Sequence, residues 1–209
     1  MDSHPSQDHA DCSAITLPGE MPVMLLSECY LFPGCFLPLF IFEQRYRDML
    51  THVLQTNRMF CIGTRESKTS NGVFPVSTAG MVHTCVKHDD GTSHLILLGM
   101  RRIRFTGWVQ ESPFPIAKIE AMASQPAPAD VLEELRAEAL SHLPACPEES
   151  AEAVKALSDQ LRKCDNPEIV CDILAYHFLH RCKSLRAVLM EPCVVKRYQA
   201  LLHALKGKC

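Results

Sequence analysis

Two hydrophobic rhythms divide this chain. From residue 20 to residue 122 the apolar positions fall in short runs, at 23–26, 36–42, 59–63, 80–87, 94–98, 103–109 and 116–121. Between them stand Pro33-Gly34, Ser70-Asn71-Gly72, Asp89-Asp90-Gly91 and Ser112-Pro113. Short runs bounded by such turn signals predict strands. Asp90-Gly91 between two runs predicts a hairpin, because glycine accepts the positive φ of a tight turn. Residues 43–54 break the rhythm. There Tyr46, Met49, Leu50, Val53 and Leu54 recur at helical spacing, which predicts a helix lying across the mouth or face of the sheet.

After the Pro/Ala-rich stretch 123–129 the period becomes 3.6. Asp130 is expected to cap a first helix along Val131, Leu132, Leu135, Ala139 and Leu143, stopped by Pro144. Ala151, Val154, Leu157 and Leu161 line a second helix. Asn166-Pro167 opens a third, in the order cap then first-turn proline, with Ile169, Val170, Ile173, Leu174 and Phe178 as its apolar face. A helical turn at 185–189 ends at Pro192, and Val194, Tyr198, Leu201, Leu202 and Leu205 line the last helix. The expected organisation is a disordered polar tail over 1–19, a β-rich subdomain over 20–122, a linker over 123–129 and an α-helical bundle over 130–209. That is an α+β fold.

Composition narrows the class. Apolar residues at 47% and charged residues at 22% suit a globular chain with a real core. The net charge of −3 is spread so that both expected folded parts are close to neutral, which gives no electrostatic footprint for a polyanion. Eleven cysteines, an odd count with no Cys-x-x-Cys, predict free thiols in a reducing, cytoplasmic setting. The first residues show no basic-then-apolar leader, and the run at 36–42 is too short to span a bilayer, so no membrane association is expected.

Particular motifs, in a particular order, say more. An apolar strand leads to Phe32-Pro33-Gly34 and then to Pro38-Leu39-Phe40-Ile41-Phe42-Glu43-Gln44-Arg45-Tyr46. Gly99-Met100-Arg101-Arg102-Ile103-Arg104-Phe105 follows. The helical half holds Asn166-Pro-Glu-Ile-Val-Cys-Asp172 and Val195-Lys-Arg-Tyr-Gln-Ala-Leu-Leu202. Over about residues 20–206 this order resembles the N-terminal, substrate-binding domain of the Lon protease family. The resemblance implies a PUA-like, β-rich pseudobarrel followed by a helical bundle, with no catalytic residue and no cofactor. It also implies recognition of polypeptide clients, unfolded or damaged, and their delivery to a separate ATP-dependent protease or chaperone. The chain stops where the family's long helix and ATPase would begin, so it looks like the stand-alone bacterial members.

The residues themselves offer little catalytic chemistry. A peptidase needs a nucleophile and its base, and neither Ser-x-x-Lys nor Gly-x-Ser-x-Gly occurs. Residues 63–69 come nearest to a phosphate-cradling loop but lack its second glycine. His177, His180 and Cys182, like His4, His9 and Cys12, are read as ordinary residues rather than a metal site. Glu43, Arg45 and Arg102 are expected to form a structural ion pair group at a strand-to-helix junction. Arg101, Arg102 and Arg104, with Lys87 and His83, are the main basic concentration and give an alternative, an RNA-binding strip in which Arg102 and Arg104 share one strand face. Leu31, Phe32 and Phe36 flank the reversal at Pro33-Gly34 and are the expected polypeptide contacts. A scaffold that only oligomerises is a further alternative, and the oligomeric state is left open.

Overall fold

The computed structural model describes residues 16–66, 72–125, 127–143 and 148–207. Residues 1–15 of the expected tail, with His4, His9 and Cys12, lie outside the described residues, as do Ser70-Asn71, Pro144 and the side chain of Ala151. In chain order the elements are β1 (Glu20–Ser27), β2 (Phe36–Ile41), α1 (Gln44–Gln55), β3 (Met59–Arg65), β4 (Val76–Lys87), β5 (Ser93–Gln110) and β6 (Ile116–Ala121). Then come α2 (Ala129–Ser141), α3 (Glu148–Arg162), α4 (Pro167–Phe178), α5 (Cys182–Met190) and α6 (Val194–Lys206). This is the expected α+β architecture. No helix among the described residues is long and apolar enough to cross a membrane.

The strands form one sheet in the order β2-β5-β4-β3-β1-β6, with β1 and β3 parallel and the other pairs antiparallel. The runs at 94–98 and 103–109 prove to be one strand, β5, whose ladder with β4 absorbs a register shift at Ala79/Gly80 rather than stopping. Its length closes the sheet. One side of β5 pairs with β4, while the other takes β2 along residues 93–98 and β6 along residues 103–110. The ring β4-β3-β1-β6-β5 is therefore a pseudobarrel, and among the described residues β2 is paired on one side only.

Three apolar clusters hold this together. Tyr46, Met49, Leu50 and Val53 of α1 bury against Met24, Phe60, Ile62, Val82 and Leu97. The Tyr46 hydroxyl donates to the Leu25 carbonyl and accepts from the Leu25 N–H, both at 3.1 Å, which fixes α1 on β1. Met21, Val23, Cys61, Ala79, Ile103 and Ala117 form a second cluster. The third joins Tyr30, Phe32, Phe74 and Val76 to the inner faces of the helices, so sheet and bundle share a core. Asn166 caps α4 as expected, accepting from Glu168 N at 3.0 Å and Ile169 N at 3.4 Å. Asp130 does not cap α2. Pro128, with φ −59° and extended ψ, starts the helix earlier, and Asp130 lies in the first turn, where its charge faces the positive helix end.

The joint between sheet and helices corrects three expectations. The Phe32-Pro33-Gly34 turn is clamped between β5 and α4: Gly34 N donates to the Gly99 carbonyl at 2.8 Å and Gly99 N to the Cys35 carbonyl at 2.9 Å. A Cβ on Gly99 would stand 2.0 Å from the Phe32 carbonyl oxygen, and one on Gly34 (φ +75°) 2.9 Å from Ile169 Cγ2. Leu31 and Phe32 are buried inside this clamp, so neither can contact a client. Arg102 is not a partner of Glu43 and Arg45. It is buried with Asp172 of α4, donating through Nη1 to Oδ2 at 2.5 Å and through Nη2 to Oδ1, while Nε donates to the Leu189 carbonyl at 3.2 Å. Burial opposes the charge on Arg102, but the adjacent carboxylate more than offsets it and holds the guanidinium above its ordinary range. A buried Arg102 also removes the middle of the proposed basic strip.

Candidate functional site

The most exposed apolar residues of the sheet gather where β2 is left at an edge. β2 is apolar on both sides. Ile41, with Leu37 and Leu39, packs toward the α1 cluster, while Phe36, Pro38 and Phe40 face outward. Their cross-strand partners extend that face: Pro38 stands opposite Ile96 and Phe40 opposite His94, and across the next ladder Ile96 meets Thr84 and His94 meets Val86. Phe36 is 51% exposed, Phe40 47% and Val86 61%, and Phe42, just beyond the strand, is 60% exposed. Same-face neighbours at this spacing touch.

The aromatic rings are ordered among themselves. Phe40 stacks on Phe42 with centroids 5.8 Å apart and on His94 at 4.6 Å, and Phe36 tilts against His83 at 5.3 Å. His94 Nδ1 shares a 2.8 Å hydrogen bond with His88 Nε2. Between the strands runs an open groove of about 410 Å³, bordered by Pro38, Phe40, Thr84, Val86, His94 and Ile96, whose lining contains no Asp, Glu, Lys or Arg. Among the described residues, charges stand around it. Glu43 and Arg45 pair at 2.7 Å beside Phe42, partly exposed, and Arg47 Nη2 donates to the Asp90 carbonyl at 3.4 Å. At the other end the Tyr176 hydroxyl donates to the Phe36 carbonyl at 3.3 Å. Burial, with Cys35 and Cys29 nearby, pushes the Tyr176 phenol up, so it acts as a neutral donor.

The arrangement offers contact area rather than a nucleophile with its base. An apolar patch of this kind, rimmed by polar groups, marks an interaction surface. Of the residues expected from sequence to bind polypeptide, Phe36 alone lies on it. Glu43 and Arg45 form the surface half of the expected ion pair group, at its rim. Arg101 is partly exposed, Arg104 exposed and Arg102 buried, so the three arginines do not make one surface. Among the described residues no three His, Cys, Asp or Glu side chains converge as metal ligands. Sequence reasoning missed Phe40, Phe42, Val86 and Ile96. The available signal was a run apolar at every position from 36 to 42, too apolar for a strand with one solvated face.

Comparison with known proteins places this geometry. Residues 20–207 match the family model described as the ATP-dependent protease La (LON) substrate-binding domain. The chain is 30% identical over 104 residues to a Lon protease of Desulfosudis oleivorans, an alignment covering 47% of this chain and 13% of that protein. It is 20% identical to Lon protease 2 of Myxococcus xanthus over 92% of this chain and 24% of that protein. It therefore spans no more than about a quarter of these curated relatives. The fold is similar to the N-terminal domain of Mycobacterium avium complex Lon protease, with a TM-score of 0.72, 14% identity and coverage of 91% of this chain and 100% of that one. A Lon N-terminal domain protein from Xanthomonas campestris gives 0.62 at 19% identity, covering 88% and 97%. From residue 20 to residue 207 this chain thus belongs to the Lon substrate-binding domain family.

Proposed function

We propose that this chain is a non-catalytic polypeptide-recognition module that binds apolar segments of unfolded or damaged proteins. Phe36, Phe40, Phe42, Val86 and Ile96 are its contact residues. The observation that supports this most directly is the collection of large apolar side chains on one outer sheet face, around a groove without formal charge. Unfolded chains offer the matching chemistry, apolar side chains and unpaired backbone groups. In this reading residues 20–122 carry the contact surface and residues 130–209 brace it through the shared core. Residues 123–129 connect the two. Clients would pass to a separate ATP-dependent protease or chaperone, as the substrate-binding role of the family suggests.

The test is a fluorescence-anisotropy titration with a labelled, permanently unfolded polypeptide, competed by unlabelled single-stranded RNA. Saturable binding that RNA does not displace is expected, with affinity reduced at least about tenfold in a Phe36→Asp/Phe40→Asp variant, as for loss of central apolar contacts. Equal affinity in that variant would remove the site. Displacement by RNA would replace the reading with a nucleic-acid one.

A further inference from the structure

We infer that the bound segment is extended and joins the sheet as an additional strand along the open edge of β2. This rests on the polypeptide-recognition reading and specifies how recognition occurs. Among the described residues β2 pairs with β5 on one side only. The Tyr176 hydroxyl reaches the Phe36 carbonyl from α4, outside that ladder, so the backbone groups of Phe36 point away from β5. In an antiparallel ladder the N–H and C=O of one residue face the same side, and sides alternate along the strand. Pro38 and Phe40 therefore face outward too. Pro38 agrees with this assignment, because a residue without an N–H is tolerated where its nitrogen faces away from the ladder. Among the described residues the Phe36 N–H, the Pro38 carbonyl and both backbone groups of Phe40 are left for a strand alongside.

The side chains select the occupant. Phe36, Pro38 and Phe40 also present the exposed face, so alternate side chains of an added strand would fall beside these rings and over the groove. With no charge in that lining, a charged side chain there would lose hydration without gaining a partner. The fitting partner is an uncharged, apolar, extended segment of another polypeptide. A second copy of β2 fits less well, because antiparallel self-pairing brings two Pro38 residues into one short ladder and removes a donor from each side. Edges are usually blunted by charge, and β2 carries no charged residue.

The full chain is titrated with a short fluorescein-labelled peptide alternating threonine with valine and phenylalanine. It is then titrated with the same peptide N-methylated at alternate residues. N-methylation removes backbone donors and leaves the side chains in place. The parent peptide is expected to bind, and the N-methylated one to bind at least about tenfold more weakly, as for the loss of two backbone hydrogen bonds. Phe40→Asp is expected to weaken the parent peptide as well. Equal binding of both peptides would overturn strand addition while leaving the recognition reading in place. Binding of an unfolded polypeptide but of neither peptide would also overturn it. A dimer, detected by sedimentation, that excludes the parent peptide would assign the edge to a second copy instead. If the unfolded polypeptide itself does not bind, the recognition reading falls with it.

Discussion

The joint behind the sheet and the face in front of it invert the usual placement of charge and aromatics. Phe32 is fully buried, and Phe36, on the far side of the same turn, is half exposed. Arg102 is buried, and Arg104 on the same strand is exposed. At the joint the buried arginines are partnered: Arg102 has Asp172 and the Leu189 carbonyl, and Arg197 has Glu168, Ser124 and the Glu191 carbonyl. On the outer face the exposed phenylalanine rings meet one another and the imidazoles of His83 and His94. A buried ion pair adds little net stability over an apolar replacement but fixes how two elements meet, here β5 on α4. Half-exposed rings bury less apolar area and contribute correspondingly less to stability; the proposed client contact would account for their placement.

The sharpest way to break this contrast is at the ion pair. Asp172→Leu strands a buried guanidinium and is expected to cost about 3–5 kcal/mol in urea unfolding, whereas Arg102→Met/Asp172→Leu recovers much of that loss. A double variant no more stable than the single one would mean that the pair is not what joins β5 to α4. Next come the phenylalanines. Phe32→Ala is expected to cost about 3 kcal/mol or more through the cavity it leaves. Phe36→Ala and Phe40→Ala should each stay within about 0.5 kcal/mol while weakening polypeptide binding. Equal destabilisation by all three would erase the distinction between joint and face.

Thiol reactivity sharpens the same contrast without substitution. Burial pushes the Cys61 and Cys171 thiols well above their ordinary value, and the Cys29 thiol to about 11. Cys85 and Cys164, partly exposed, are expected to react with a chromogenic disulfide reagent in the native protein, and Cys61 and Cys171 only after unfolding. The smallest effect expected is at His177, in the last turn of α4. Burial lowers its pKa, so the fold favours the neutral ring and the unfolded chain takes the proton first. Its contribution is present above the ordinary histidine range and is lost as pH falls toward the lowered folded value. His177→Gln should therefore reduce the fall in urea midpoint between about pH 7.5 and pH 5.

Much of this protein follows from local pattern. The region of short apolar runs and the period-3.6 region, the α1 helix with its buried Tyr46, the Asp90-Gly91 hairpin and the Asn166-Pro167 helix start are short-range consequences of side-chain size, turn chemistry and capping. The motif order carried the family as well. Long-range pairing decided the rest. That β5 is one strand, that it closes the barrel on β6, and that β2 is consequently left at an edge are properties of ladders between distant residues. The same holds for Arg102, whose partner lies 70 residues away. Local sequence specifies that residues 31–42 are strongly apolar. Which of those side chains meet the core and which meet water depends on where α4 docks and where the sheet ends. For that reason Phe32 and Phe36, alike in the sequence, became distinguishable only in the folded chain.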